Sequence, residues 1–299
     1  MLIILLALLL LLSYGNMRYI PFTSGMGNQI SAYFARFALS HSLGQKVPFL
    51  TLKHSKSAVC RSLPDDPFSI ELNLTHRPSI NLLFTSPAAW ETNVGALWTD
   101  VSESARQIMN NAIYSNPILF EKHMGFSRNE IIIHLRMSDV PFNRYPAYVL
   151  PKYSYWKDAL KTITAVTAEP LQIRLITNSS HHQTKSLTLQ AIDSYVHDLL
   201  EYLQTLTPNR VLLHTDGDAD DDFMRMRVAR FLICGTSSFS TMAALTGENE
   251  RCILLESFDG AKTWPSNMLA FPRTKYALSH SVVRDYFDTN AVIKQLREE

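Results

Sequence analysis

Residues 131–139 decide the fold that we predict for this chain; they read Ile131-Ile132-Ile133-His134-Leu135-Arg136-Met137-Ser138-Asp139. The three isoleucines indicate a buried strand, and polar side chains follow where that strand ends. Ligands of open α/β sheets bind at the carboxyl ends of the strands, so the run places His134, Arg136 and Asp139 at a candidate site. His134 and Arg136 point to the same side because they are two residues apart. A salt bridge between Arg136 and Asp139 is the alternative.

Outward from this run, short apolar segments alternate with segments of helical period, which is typical of a parallel sheet covered by helices. We predict further strands at 172–177, 210–214, 231–235 and 252–256, and helices near 155–166, 187–203, 222–230 and 239–246. This part of the chain therefore predicts a doubly wound α/β domain over residues 129–299.

The first half predicts a second α/β domain, over residues 16–128. A strand at 18–22, a loop at 23–29, a helix from Ile30 and a strand at 47–50 form a βαβ unit. Ile30, Phe34 and Phe37 give that helix its apolar spacing. A further helix is predicted at 101–114.

Composition bounds the partners and the compartment. A net charge of +1 over 299 residues gives no overall attraction to nucleic acid. The apolar residues 2–12 are too few for a membrane span of about 20, so residues 1–15 form a signal peptide or a short signal-anchor. Either interpretation places the chain in the secretory pathway, in the Golgi or ER lumen, and the anchor attaches it to the membrane. Cys60, Cys234 and Cys252 are expected to be free core thiols.

Two strand-to-helix loops are compatible with phosphate binding. They are Gly25-Met26-Gly27-Asn28-Gln29 and the run Gly235-Thr236-Ser237-Ser238-Phe239-Ser240. Amides at the start of a helix, together with its positive dipole end, suit a phosphate oxygen. The alternatives are a tight turn for the first loop and helix capping for the second. The guanidinium of Arg136 suits a diphosphate, because its planar fork gives paired charge-assisted hydrogen bonds.

Two other segments allow two interpretations each. The acidic run 216–222 either chelates a metal through Asp216 and Asp218 or forms a loop whose last acids favour the next helix N-terminus. The metal-chelating interpretation is the weaker one, and we expect no metal site. The aromatic and proline-rich segment 141–148 is a candidate acceptor wall or an ordinary surface loop.

These segments, in this order, resemble the GDP-fucose-dependent fucosyltransferases, both the α1,2 type and the protein O-fucosyltransferases. Those families carry a Gly-x-Gly-Asn-Gln loop and a His-x-Arg-x-Gly-Asp motif, in which Ser138 here replaces the glycine. Near the C-terminus they carry an acidic residue and a serine-rich run. The matching residues are Gly25, Gly27, Asn28 and Gln29, then His134, Arg136 and Asp139, and finally Asp222, Ser237, Ser238, Phe239 and Ser240.

The resemblance implies two facing Rossmann-like domains of the GT-B type. It implies an inverting, metal-independent transfer of fucose from GDP-fucose to a hydroxyl of a glycan or a glycoprotein. Arg136 would neutralise the β-phosphate, and Asp139 would act as a base or orient Arg136. The other matching residues would bind the donor, and no cofactor is expected. The alternatives are a transferase for another nucleotide sugar and a catalytically inactive module that binds sugar nucleotides.

Overall fold

The structure is a computed structural model that describes residues 25–43, 52–65, 98–137, 149–167, 169–178, 186–215, 217–256, 264–278 and 289–298. The described residues form two compact units: the first comprises the residues up to Met124 together with 264–265, and the second comprises the residues from Gly125 to 256 together with those from Ser266 onward. Several predicted features lie outside the described residues: the segments 1–15, 18–22, 47–50 and 141–148, with Asp139 and Asp216. Over the ranges given, no helix is both long and apolar enough to cross a membrane.

The described part of the first unit is helical. Its helices are α1 (Met26–Leu43), α2 (Ala58–Ser62), α3 (Trp98–Tyr114) and α4 (Pro117–Gly125). The helix predicted from Ile30, Phe34 and Phe37 is confirmed, and these three side chains are fully buried. Both α1 and α2 pack against α3.

Helix α1 begins earlier than predicted, so the boundary drawn for the glycine-rich loop is wrong. The amides of Asn28 and Gln29 donate to the carbonyl of Gly25 over 3.0 and 3.2 Å, which starts the helical hydrogen bonding at Gly25. Gly27, Asn28 and Gln29 therefore lie in the first turn. The sequence pattern missed this turn because Gly and Asn are weak helix formers that favour loops.

The second unit is built on a six-stranded parallel sheet flanked by helices. Its strands are β1 (Glu130–Arg136), β2 (Gln172–Asn178), β3 (Val211–Thr215), β4 (Phe231–Cys234), β5 (Arg251–Leu255) and β6 (Met268–Phe271). Its helices are α5 (Tyr153–Thr164), α6 (Ser186–Thr205), α7 (Ala219–Val228), α8 (Ser238–Thr246), α9 (Arg273–Tyr276) and α10 (Thr289–Arg297). The strand order is β3-β2-β1-β4-β5-β6, and every neighbouring pair is parallel.

The two faces of β1 pack against different parts of the unit. Ile131, Ile133 and Leu135 belong to the core that includes buried residues of α5 and α6. Alternate side chains of a strand point to the opposite face, and there the ring of His134 contacts Phe239 of α8. Helices on both faces of a parallel sheet in this strand order make the second unit Rossmann-like.

The strands predicted after residue 128 are confirmed, with β6 added to them. β6 is a four-residue strand at the edge of the sheet, and of its residues only Met268 is buried. The helix predicted from 222 begins at Ala219, because the side chain of Asp218 accepts hydrogen bonds from the amides of Asp220 and Asp221. The acidic run thus supplies the N-cap of α7, as the second of its two interpretations holds.

A buried carboxylate ties the amino ends of the strands together. Glu130, the first residue of β1, accepts a hydrogen bond of 2.6 Å from Arg174 of β2 and lies 3.4 Å from a guanidinium nitrogen of Arg225 of α7. This cluster lies at the edge opposite to the carboxyl ends of the strands.

Candidate functional site

The strand order reverses between β1 and β4, which is the switch point of the sheet. β2 and β3 follow β1 on one side, whereas β4, β5 and β6 lie on the other. Loops that leave the sheet in opposite directions open a crevice at such a point, and ligands of this fold bind there. In this sheet that point lies at the carboxyl ends of β1 and β4, which end at Arg136 and Cys234. The predicted strand end with His134 and Arg136 and the predicted loop that begins at Gly235 therefore lie next to each other.

His134 supplies a buried, neutral imidazole beside the switch point. Its side chain is 7% exposed, and its ring centroid lies 5.6 Å from that of Phe239. Burial, and secondarily the charge of Arg136, lower the pKa of His134 from 6.5 to about 3. Its Nδ1 atom has no hydrogen-bond partner among the residues that the structure describes. A buried polar atom left in this state is costly unless a ligand or water satisfies it.

Hydrogen bonds to β1 and to the segment before α5 hold the loop between β4 and α8, and a residue of α5 bonds the end of β4. The amide of Gly235 donates to the carbonyl of His134 over 2.9 Å, and a Cβ on Gly235 would lie 3.0 Å from that carbonyl oxygen. The hydroxyl of Thr236 donates to the carbonyl of Val149 over 3.0 Å, and Tyr155 donates to the carbonyl of Cys234 over 2.5 Å. The start of α8 is thus held in place before any ligand arrives.

Helix α8 begins at the switch point, and its serines have different surroundings. Ser237 is the N-cap and accepts a hydrogen bond from the amide of Phe239 over 3.2 Å. Ser238 is half-buried in the first position of the helix. Ser240 is fully buried and donates to the carbonyl of Ser237, so its hydroxyl is engaged within the helix. Capping, the alternative interpretation of this run, therefore occurs, and the positive end of α8 also faces the switch point.

Asp222 lies at the carboxyl edge of β3, in contact with a residue that the sequence did not single out. Nε2 of His214 lies 3.0 Å from Oδ1 of Asp222, whose side chain is buried. Burial raises the pKa of Asp222, and the neighbouring His214 opposes that shift. A Cβ on Gly217 would lie 2.5 Å from Nε2 of His214 and 2.7 Å from Oδ1 of Asp222. The only signal for His214 in the sequence is its place at the end of a strand before an acidic run.

Strand register places these residues on one face of the sheet. His134 pairs with Ile176 of β2, and Ile176 pairs with His214 of β3. Residues paired in parallel strands point to the same face, and adjacent strands lie about 4.8 Å apart. Arg136 is paired in the same way with Asn178, which is exposed at the end of β2. Asn178, which sequence reasoning did not include in the site, therefore neighbours Arg136.

The remaining predicted residues lie in the first unit or outside the described residues. Gly25, Gly27, Asn28 and Gln29 belong to the first unit, where Gly25 and Asn28 are exposed and Gln29 is buried. Asp139 lies outside the described ranges. Within those ranges, no group of three or more His, Cys, Asp or Glu side chains could hold a metal ion. The three cysteines, Cys60, Cys234 and Cys252, are buried thiols, as expected.

The fold and the site define a Rossmann-like α/β domain with an arginine and a helix N-terminus at its switch point. Comparisons of the chain with protein-family models, with curated proteins and with solved structures found no match.

Proposed function

We propose that the chain is a nucleotide-sugar-dependent glycosyltransferase whose second unit holds the diphosphate of the donor at the switch point. One observation carries the proposal: the end of β1, with His134 and Arg136, is hydrogen-bonded through Gly235 to the loop that starts α8. A cationic side chain and a set of helix-start amides on adjacent strands form a site for an anion with more than one oxygen.

The chemistry of glycosyl transfer fits such a site. When the bond between the sugar and the β-phosphate breaks, negative charge develops on the phosphate oxygens. Arg136 supplies a positive charge for these oxygens, and the amides at the start of α8 are oriented towards them before the reaction begins. His134 stays neutral at physiological pH, so its unpartnered Nδ1 contributes a hydrogen bond to the donor rather than a charge. In this mechanism the leaving group is stabilised by the protein alone, without a metal.

The donor that we propose is GDP-fucose, on the resemblance of the Gly25, Arg136 and Ser237 segments to fucosyltransferases. In that proposal the two units are the two Rossmann-like domains of a GT-B fold, and Asp139 is the base that accepts the proton of the acceptor hydroxyl. The acceptor is a glycan or a glycoprotein in the secretory pathway, which residues 2–12 direct the chain to enter. Asp222 contacts the nucleobase end of the donor.

A thermal-shift panel tests the donor. A ligand at about 100 times its Kd adds about 2.7 kcal/mol to the free energy of unfolding, which raises Tm measurably. We expect GDP-fucose and GDP to raise Tm with and without EDTA, and UDP-sugars to leave it unchanged. A rise with a UDP-sugar alone would assign another donor to the same site, and no rise with any nucleotide would refute the proposal.

Transfer must be measured separately from binding. Purified protein is incubated with labelled GDP-fucose and a panel of glycan and glycoprotein acceptors, and labelled product is counted with and without EDTA. We expect labelled acceptor in both conditions. Donor binding without labelled product from any acceptor would identify the chain as a binding module.

A further inference from the structure

The pair formed by His214 and Asp222 is the second polar cluster at the carboxyl edge of the sheet. Nε2 of His214 lies 3.0 Å from Oδ1 of Asp222. The side chain of Asp222 is 9% exposed and that of His214 is 32% exposed, so the imidazole lies between the buried carboxylate and solvent. The pair connects the carboxyl end of β3 with the first turn of α7.

Gly217 lies in the loop that joins β3 to α7, directly against the two side chains of the pair. A Cβ at this position would lie 2.5 Å from Nε2 of His214 and 2.7 and 2.9 Å from the two carboxylate oxygens of Asp222. Real Cβ atoms do not approach other atoms so closely, so any other residue at 217 would push the imidazole or the carboxylate away. The backbone of the loop therefore packs directly on the pair and fixes its geometry.

The charges around Asp222 leave His214 as the main group that favours its ionised form. Arg225 of α7 acts in the same direction more weakly, and Asp221 acts against it. Asp218, in the same loop, caps α7. Helix α8, which packs against α7, has no charged or titratable side chain. Without the imidazole, the pKa of Asp222 would rise further, because burial would be opposed only by the weaker effect of Arg225.

We propose that His214 is a positioning residue that holds the Asp222 carboxylate ionised and oriented at the carboxyl edge of β3, where it receives the nucleobase end of the donor. His214 and His134 lie two strands apart on one face of the sheet, about 10 Å from each other by strand spacing. In this proposal the nucleotide extends from a diphosphate at His134 along the edge towards Asp222. This inference rests on the proposed function in its last step.

The test combines a carboxyl titration with nucleotide binding. The carboxyl ¹³C resonance of Asp222 is followed by NMR against pH in the wild-type chain, in His214→Leu and in His214→Gln. We expect His214→Leu to raise the titration midpoint by about one pH unit, because the charge-stabilising neighbour is lost. His214→Gln keeps an N–H donor and should fall between the other two.

Binding of GDP by calorimetry at pH 6.0 and pH 8.0 provides the second readout. We expect His214→Leu to weaken GDP binding more at pH 6.0 than at pH 8.0, by at most about tenfold, which is the limit for one pH unit of midpoint shift. Gly217→Ala should act in the same direction, because its Cβ separates the two side chains while both remain present.

An unchanged titration midpoint in His214→Leu would overturn the inference. The inference would also be overturned if GDP binding in that variant followed the wild-type pH profile. If wild-type protein bound no nucleotide, the proposed function and the donor step of this inference would fail together. The carboxyl titration would still decide whether His214 controls the charge of Asp222.

Discussion

The amide of Gly235 donates a hydrogen bond to the carbonyl of His134 over 2.9 Å. This bond extends the pairing of β1 and β4 by one step, since His134 is already in register with Cys234. It fixes the distance between the strand that carries Arg136 and the loop that starts α8. The strand that carries Arg136 and the loop that starts α8 are thus held together by a backbone hydrogen bond, which suits a site that must be organised before the reaction.

The buried His134 predicts a loss of stability in acid. Its pKa is lowered from 6.5 to about 3 in the folded chain. Between these two pH values His134 is protonated in the unfolded chain and neutral in the folded chain. The free energy of unfolding should therefore fall by about 1.4 kcal/mol per pH unit as pH decreases through this window, from this residue alone. Urea denaturation at several pH values measures the slope.

His134→Asn removes this titration, so the slope in that variant should be smaller by the same amount. His197→Asn, at an exposed position of α6, is the matched control for replacing a histidine. Equal slopes in His134→Asn and in the wild type would show that His134 is protonated in the folded chain.

Gly235 predicts a steric effect at the switch point. In Gly235→Ala the new Cβ would lie 3.0 Å from the carbonyl oxygen of His134, so the loop or the strand must shift. We expect a loss of about 1–3 kcal/mol in the free energy of unfolding, as overpacking costs in well-packed sites, together with weaker GDP binding. Gly125→Ala is the control, because nothing lies within 4 Å of its Cβ. Wild-type GDP affinity in Gly235→Ala would argue against a ligand in this crevice.

Replacing two serine N-caps, one in each unit, distinguishes an effect on the free energy of unfolding from an effect on GDP binding. Ser237→Ala and Ser57→Ala each remove a side-chain cap, of α8 and α2 respectively, and each should cost about 1 kcal/mol in the free energy of unfolding. Only Ser237→Ala should also weaken GDP binding, since Ser57 caps a helix of the other unit. Equal binding by both variants would mean that Ser237 serves the helix alone.

Arg136 predicts a catalytic defect. Removing one preorganised donor to developing charge lowers turnover by about 10²–10³-fold in other enzymes, so we expect a loss of this size in Arg136→Ala with the fold retained. Fucose transfer under saturating donor measures it, and circular dichroism checks the fold. Arg128→Ala is the control, because Arg128 is exposed near the opposite edge of the sheet in an ion pair with Glu248. Near-wild-type transfer by Arg136→Ala would exclude a role in catalysis.

Sequence patterns predicted the architecture of the second unit because its strands are apolar runs with polar ends. The run Ile131–Ile133 marks a strand that is buried on both faces, and its end coincides with the edge where ligands bind. The same reasoning identified the loop at Gly235. The two segments are adjacent because β1 pairs with β4 in the sheet. That pairing depends on the direction of the crossover connections, which neither segment reveals by its own sequence.

The pair of His214 and Asp222 could not be predicted in this way. Their contact depends on the register of β3, on the start of α7 and on the absence of a side chain at Gly217. Each is a tertiary feature, whereas the sequence shows only a histidine and an acidic run. The early start of α1 was missed for a local reason, because Gly27 and Asn28 are typical loop residues even where they form a first helical turn.

The claim that Arg136 and the start of α8 hold a diphosphate is tested most directly by comparing GDP with guanosine. Calorimetry measures the affinity of both ligands for the wild-type chain, for Arg136→Ala and for the control Arg128→Ala. A charge-assisted hydrogen bond contributes about 1.5–3 kcal/mol, so we predict that Arg136→Ala weakens GDP binding by about 10- to 150-fold. We predict no change in guanosine binding, and no change for either ligand in Arg128→Ala. Unchanged GDP affinity in Arg136→Ala, or an equal loss for GDP and guanosine, would contradict the account.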